Sequence, residues 1–551
     1  MPTEVLQNIV LNDDESLKGL YSSRTSVFPM VLGPGETLDL NAHFNYVPIG
    51  ALRRYTGVKR LFLELDADGP VSVTVDIPGM DIAPYTIDYN GTPLDLGFPE
   101  RDLLGISVTA GDGGCTIRSG RFLAESDTVN DVHLALCICT YHNDGLVKEK
   151  ITSILGSDIW GSLRDHVTII VVDNGRTLSG LPDGVRLIPS ENHGGSGGFA
   201  RGMLEAMDLK CTHVILNDDD AMFDPEVLFR TLTFYTFAGK EVCLGGSFLY
   251  KDRPTVVYES GAEFSEFKTR PHCCGLDLLN VDSNLFLSSD RESDFFGWWY
   301  CAFPMVSVSR MGLPLPFFFK FDDIEYGRRS DIPRTVLCGV SVWHPDFDTK
   351  YSVTTEYYVF RNLLIAGMIH NSPSREDVKK LFTRIEIDIV GYRYREAVVK
   401  MRAAEDVMKG PDHVFPSSLD GPLEDVDDYM LGDADFLRKV LDIVPDAKRA
   451  PHGLRHVLMN GNFLPSVGDR ELSFRELDTA SFYRVGRVLY TLDNGRGVIC
   501  ERSFSETVKL MVRLSRLRRR FLRMFDGLSE EYREFLPRYS SEGFWKEVYR
   551  D

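Results

Sequence analysis

Three short apolar runs, each cut off by polar residues, constrain this chain most: "VHLALCICT" (132–140), "VTIIVVDNG" (167–175) and "HVILNDDD" (213–220). A strand with one wet face alternates apolar and polar side chains, whereas a run without alternation needs cover on both faces. That is the condition of a parallel sheet lying between helices. The polar residues then fall at the carboxyl ends of the strands, where open α/β sheets bind their ligands. We therefore expect an α/β core over residues 131–370.

The flanks read differently. In "RLFLELDADGPVSVTVDIP" strict alternation puts Val71, Val73, Val75 and Ile77 on one face after an Asp-Gly-Pro turn, which predicts an antiparallel β-sandwich over residues 1–130. Helical spacing in "REDVKKLFTRIEIDIVGYRYREAVVKMRAAEDVMKG" predicts a mainly helical part over 371–551. With 551 residues there is room for three or four domains of ordinary size. Lys and Arg number 61 against 81 Asp and Glu, a net charge of −20 that argues against nucleic acid as a partner. The ten cysteines lack paired CxxC spacing and read as buried thiols of a reducing cytosol. "HCC" at 272–274 has no second ligand pair at zinc-finger spacing. Neither a signal peptide nor a run of about 18 apolar residues is visible.

Chemistry collects at the polar ends. "VVDNG" offers Asp173 and Asn174, suited to the edge of a base or sugar, with a helix cap as the plain alternative. "ENHGGSGGFARG" carries Asn192, Gly194 and Gly195 ahead of a helix, a turn whose backbone N–H groups can approach a diphosphate. No Gly-Lys-Ser/Thr follows, so it is not a Walker A loop. Asp218, Asp219 and Asp220 supply hard oxygen ligands for Mg²⁺ or Mn²⁺; a solvated acidic turn capping the next helix is the alternative. A second acidic cluster holds Asp322, Asp323 and Glu325, and His344 ends a further apolar run, where its imidazole could join the aspartates. Between the clusters lie Trp298 and Trp299, either core or the wall of a sugar pocket.

Strand-DNG, Gly-rich turn, NDDD, GWW, DDxEYG and WH occur in the order of the family 2 glycosyltransferases with a GT-A (Rossmann-like) fold. More narrowly the chain resembles the actinobacterial polymerising galactofuranosyltransferases of cell-wall galactan, in "NHGGSGGFARG", "NDDDAMFDPE", "GWWYCAFP", "LPLPFFFKFDDIEYGRR", "SVWHPDF" and "YYVFRN" among other segments. The resemblance implies an inverting, metal-dependent transfer from UDP-galactofuranose to a growing polyprenyl-diphosphate-linked galactan. It assigns Asp218, Asp220 and His344 to Mn²⁺ or Mg²⁺, Asp323 to the catalytic base, and Asp322, Glu325, Trp298 and Trp299 to the acceptor. Asp173, Asn174, Asn192, Gly194, Gly195 and Asp219 fall to the UDP-sugar donor. Where the family reads Thr-Phe-Asn-Arg-Pro, this chain has Thr140, Tyr141, His142, Asn143 and Asp144, without the Arg that meets uracil. Val359 or Phe360 stands where the family has His before the Arg-Asn pair. Other readings stay open: the same chemistry with a rhamnosyl or glucosyl donor, a metallophosphohydrolase, or a silent glycan-binding scaffold.

Finally, Lys509 to Arg523 carries seven basic side chains and no acidic one, with Leu510, Leu514, Leu517 and Phe521 on one helical face. It reads as a basic amphipathic helix holding a cytoplasmic protein at the anionic inner leaflet of the cell membrane, with a subunit contact in a homo-oligomer or an ordinary solvated helix as the alternatives.

Overall fold

A computed structural model describes residues 3–79, 83–345, 351–421, 423–443, 461–474 and 482–550. The chain folds as mixed α/β with a helical C-terminal part, as expected. The three apolar runs are strands Leu134–Thr140, Val167–Asp173 and His213–Asp218, paired in parallel with Leu134–Thr140 in the middle. Arg186–Pro189 extends the sheet on one side. On the other, Cys301–Pro304 runs antiparallel and joins Cys243–Tyr250, which itself pairs in parallel with Arg334–His344. Strand order reverses between Leu134–Thr140 and His213–Asp218, so the crevice for a ligand opens outside the carboxyl ends of those two strands. Asp218 stands there.

The first 126 residues contribute two antiparallel sheets. Val71, Val73 and Val75 point into a core that continues without interruption into the central sheet through Leu136, Ile138 and Val171. A buried ion pair marks the seam: Glu226 Oε1 accepts from the Asn8 backbone N–H at 2.7 Å, and Arg230 lies 3.3 Å from the same carboxylate. All ten cysteines are free thiols.

Beyond residue 350, helices Val353–His370, Arg375–Val390, Tyr394–Val407 and Phe504–Tyr539 pack around one apolar cluster. Two findings depart from expectation. A four-stranded sheet made of Gly432–Asp433, Arg470–Ser473, Arg487–Thr491 and Arg496–Glu501 interrupts the helices. Leu510, Leu514, Leu517 and Phe521 are 0–5% exposed and packed inside this cluster, so that face is unavailable to a membrane. Its period is that of any helix with one buried side. Among the described residues, no helix is long and apolar enough to cross a membrane.

Candidate active site

Register carries the first aspartates to one level, with Thr140 opposite Asp173 and Cys139 opposite Asp218. Past Asp218 the chain turns, and Met222 and Trp343 exchange backbone hydrogen bonds of 2.9 and 2.7 Å. That bridge sets His344 beside Asp220, Nε2 to Oδ1 2.9 Å. Asp218, Asp220 and His344 each offer a ligand atom, all within 4.8 Å of one another. His344 Nδ1–H donates to the Pro345 carbonyl at 2.5 Å, which fixes the ring with Nε2 toward Asp220, the orientation of a ligating imidazole once a cation displaces the shared proton. Burial and the charge of Asp220 push the Asp218 carboxyl up to about 6. Burial alone would lower His344, but Asp220 and Asp218 outweigh it and raise its pKa. Carboxylates crowded in this way, together with an imidazole, fit a divalent ion. Asp219 accepts instead from Thr140 Oγ1 (2.7 Å) and Asn143 Nδ2 (2.9 Å).

A positive charge also lies beneath the aspartates. Lys150, 2% exposed, donates to the Asn217 side chain and to the Asp218 carbonyl oxygen. Burial depresses it to about 8 against the pull of the three aspartates, so it stays mostly charged at neutral pH. Its signal was present in sequence: with Val147, Ile151 and Ile154 it shares the buried stripe of helix Asp144–Leu155, a place where lysine needs a partner. Lys150→Met strands two buried acceptors and should cost about 2 kcal/mol or more in denaturant unfolding. An unchanged midpoint would remove it from this role.

Two cavities, of about 570 and 750 Å³, share Asp218, Phe319 and Lys320. The smaller holds the three aspartates and His344, walled by Tyr351, Arg393, Phe474 and Asp493. Phe474 and Asp493 come from the C-terminal sheet and its turn, which sequence reasoning missed. Asp346 and Phe347 of "SVWHPDF" lie outside the described residues. The larger cavity is lined by Gly195, Glu259, Trp298, Trp299, Asp322 and Asp323 among others. Trp298 and Trp299 differ within it. Trp299 Nε1 donates to the Gly246 carbonyl at 2.9 Å, whereas the buried Trp298 Nε1 has no partner among the described residues. Its ring packs against Phe199 and Tyr326, so Trp298→Phe should cost about 1 kcal/mol in stability while weakening several-fold the binding of a ligand in the larger cavity. A large fall in melting temperature would make it core only.

Asp322 and Asp323 open helix Asp322–Arg329 after a turn in which Phe318, Lys320 and Phe321 all have left-handed φ of 68–69°. Such a turn is strained for residues with a Cβ and must be held. Asn362 holds it, its Nδ2 donating to the carbonyls of Phe317, Phe319 and Lys320 at 2.9–3.1 Å. That gives the Arg-Asn pair of "YYVFRN" its role. Burial pushes Asp323 up to about 6, and burial with the Asp323 charge pushes Asp322 to about 8. Glu259, which the sequence did not single out, is raised to about 8 by burial and Asp323, and its Oε1 has no partner among the described residues. Arg328 pairs with Asp294 at 2.6 Å and Arg329 with Glu325 at 2.9 Å, so neither arginine pairs with Asp323.

Two assignments need correction. Glu325 is fully buried, its oxygens engaged by Arg329 and by His370 Nε2 at 3.0 Å; it anchors the helix and lines neither cavity. Burial would raise it, but Arg329 and His370 hold it below the ordinary carboxylate range. Asp173 spends both oxygens on its own loop, accepting from Gly175 N (2.9 Å) and Leu178 N (2.7 Å). It shapes the turn rather than facing a base.

The Gly-rich turn is built for close approach. Gly194 has φ +71°, and a Cβ there would lie 1.9 Å from the Phe318 carbonyl oxygen. Asn192 Oδ1 accepts from Gly194 N at 3.1 Å, and Asn174 Nδ2 donates to the Gly194 carbonyl at 2.9 Å. Gly195 faces Asp322, whose Oδ2 would lie 3.5 Å from a Cβ there. Behind the turn, Tyr549 hydroxyl donates to the Gly197 carbonyl at 2.5 Å, and Trp545 Nε1 to that of Pro314 at 2.9 Å.

No protein-family model matches the chain. It is similar to the galactofuranosyltransferase GlfT2 of Mycolicibacterium smegmatis, 24% identical over 596 residues that cover 96% of this chain and 90% of that protein. Against GlfT2 of Mycobacterium tuberculosis the identity is 25%, covering 95% and 91%. A solved mannosyltransferase of Pyrobaculum calidifontis, in complex with GDP-Man and Mn²⁺, aligns with 51% of this chain and 76% of its own at 14% identity and a TM-score of 0.30, too slight to argue from. The chain is thus a glycosyltransferase, similar over nearly its whole length to the mycobacterial galactofuranosyltransferases.

Proposed function

We propose that the protein is an inverting, metal-dependent GT-A enzyme that moves galactofuranose from UDP-galactofuranose onto a growing galactan. The observation that carries this reading is the pair of cavities meeting at Asp218: a candidate cation triad on one side, and Asp323 with Trp298 on the other. In this reading residues 131–370 are the catalytic domain, between an N-terminal sandwich domain (1–130) and a C-terminal domain (371–551).

Asp218, Asp220 and His344 would hold Mn²⁺ or Mg²⁺, which supplies positive charge against the departing diphosphate. The Gly-rich turn with Asn192, Gly194 and Gly195 faces the donor, and Asn174 fixes that turn. Tyr141, 49% exposed and 4.1 Å from the His142 ring, offers a stacking surface for uracil where the family arginine is missing. The acceptor enters the larger cavity against Trp298, with Asp322 and Glu259 within reach of its hydroxyls. Asp323 takes the proton from the attacking hydroxyl as that oxygen bonds to the anomeric carbon and the bond to the diphosphate oxygen breaks on the opposite face, inverting the configuration. Incubation with a panel of sugar nucleotides, with and without an oligogalactofuranoside, tests the reading. Acceptor-dependent consumption of UDP-galactofuranose alone is expected; preference for another sugar nucleotide would overturn the assigned donor.

A lipid-linked acceptor places the enzyme at the inner leaflet. With the apolar face of helix Phe504–Tyr539 buried, the contact is electrostatic: Arg516, Arg519, Arg520 and Arg523 are exposed, and none appears in an ion pair among the described residues. Flotation with anionic vesicles should fall with salt and vanish when the four become Gln. Equal flotation of the variant would refute it.

A further inference from the structure

The larger cavity holds charges of both signs. Besides the carboxylates of Asp322, Asp323 and Glu259, it is lined by Lys268 and Arg270, on the outer strand of the hairpin Ala262–Pro271, and by Arg384, from helix Arg375–Val390. Among the described residues, no ion pair within 4.0 Å involves any of the three cations. Glu263, the cross-strand neighbour of Arg270, lies 3.6 Å from His272 instead. Arg384 is half-buried and its guanidinium desolvated; one N–H donates to the Phe267 carbonyl at 3.1 Å, tying the hairpin to the helix. The charges of Glu356 and Asp388 act on Arg384, but Lys268 and Arg270 are exposed with no carboxylate within 4.0 Å among the described residues, and in a chain of net charge −20 such cations beside Arg384 on one cavity call for an anion. A neutral sugar hydroxyl needs the base and its neighbours, not these.

From this we infer an anion subsite on the acceptor cavity: Lys268, Arg270 and Arg384 take a phosphate group carried by the acceptor while its hydroxyl reaches Asp323. The inference rests on the transferase reading above. Two sources share this chemistry, a diphosphate at the reducing end of a carrier-linked glycan and a phosphate substituent along the glycan.

Three synthetic acceptors with the same galactofuranosyl disaccharide decide the matter: one neutral, one with a reducing-end diphosphate, one with a phosphate ester on the first sugar. Charge-assisted contacts should raise kcat/KM about tenfold or more for a phosphate-bearing acceptor over the neutral one. The gain should shrink as salt is added. In the Lys268→Gln/Arg270→Gln variant, whose exposed hairpin positions leave the melting temperature in place, the ratio should fall toward unity. A gain for the diphosphate alone assigns the carrier, and a gain for the ester alone assigns a substituted glycan. Equal kcat/KM for all three, or a gain undiminished in the variant, overturns the subsite. Failure of every acceptor with every sugar nucleotide would instead sink the transferase reading, and the subsite with it.

Discussion

Asp323→Asn should lower turnover by about 10² to 10⁴, the usual worth of a general base, while UDP-sugar affinity and melting temperature barely move. The basis is geometric. Asp323 lines the larger cavity, accepts among the described residues a local hydrogen bond from Ile324 N at 2.8 Å, and has lost both arginines that could have made it structural, Arg328 to Asp294 and Arg329 to Glu325. Its burial adds a second test. With the carboxyl raised to about 6, the base is protonated and idle below that pH and free above it. Turnover should therefore rise through about pH 6 and level off, with about a tenth of the plateau left one unit below. Because Asp218 titrates in the same range, the profile is read at saturating Mn²⁺, where the acid limb should be lost in Asp323→Asn. Near-normal turnover in that variant would remove Asp323 from the mechanism, and a fall in melting temperature with normal turnover would make it a structural residue. Glu325→Gln supplies the contrast: it should destabilise the fold by about 3 kcal/mol, through the buried Arg329 left behind.

Chelation should abolish transfer, and Mn²⁺ or Mg²⁺ should restore it. His344→Ala should weaken metal and donor binding together by about 10²-fold or more, because a cation held by two carboxylates alone lacks the imidazole that completes the triad. Titration calorimetry of Mn²⁺, with and without UDP, reads this directly. Pro345 donates nothing here; its carbonyl only orients the ring. Full transfer in chelator would reduce the three aspartates to a loop balanced by Lys150.

The buried strands could be read from sequence because burial on both faces erases alternation, and nothing else of that length does. Placing the aspartates at their carboxyl ends followed directly. Assigning roles within a cluster did not. Asp323 and Glu325 are two residues apart on one helix and so point to different faces; one looks into the cavity, while the other meets Arg329 four residues on. A string of letters presents them as one set. Asp173 poses a related problem, since a carboxylate at a strand end serves equally to grip a ligand or to close its own turn, and only the positions of Gly175 N and Leu178 N decide. The hairpin Arg487–Glu501 was legible, with "RVLYT" and "RGVICE" flanking Asp493, Asn494 and Gly495, a turn of the kind that joins antiparallel strands. Long helical stretches on either side hid it. For helix Phe504–Tyr539, the pattern told which side is covered but not by what, and the cover is the protein's own core.

The hydrogen bond from Tyr549 to Gly197 joins residues 352 positions apart. A Gly-rich turn braced from that distance cannot be set when the central sheet first forms. Every strand of that sheet lies before residue 345, and could pair while residues 542–550 are still being made. Until they arrive, the first turn of helix Gly194–Asp208 lacks the hydrogen bond that Tyr549 gives it at Gly197. The sheet and its aspartates would then exist in a nascent chain well before the Gly-rich side of the site is rigid, so the order of synthesis itself delays a competent enzyme until almost the whole chain has folded.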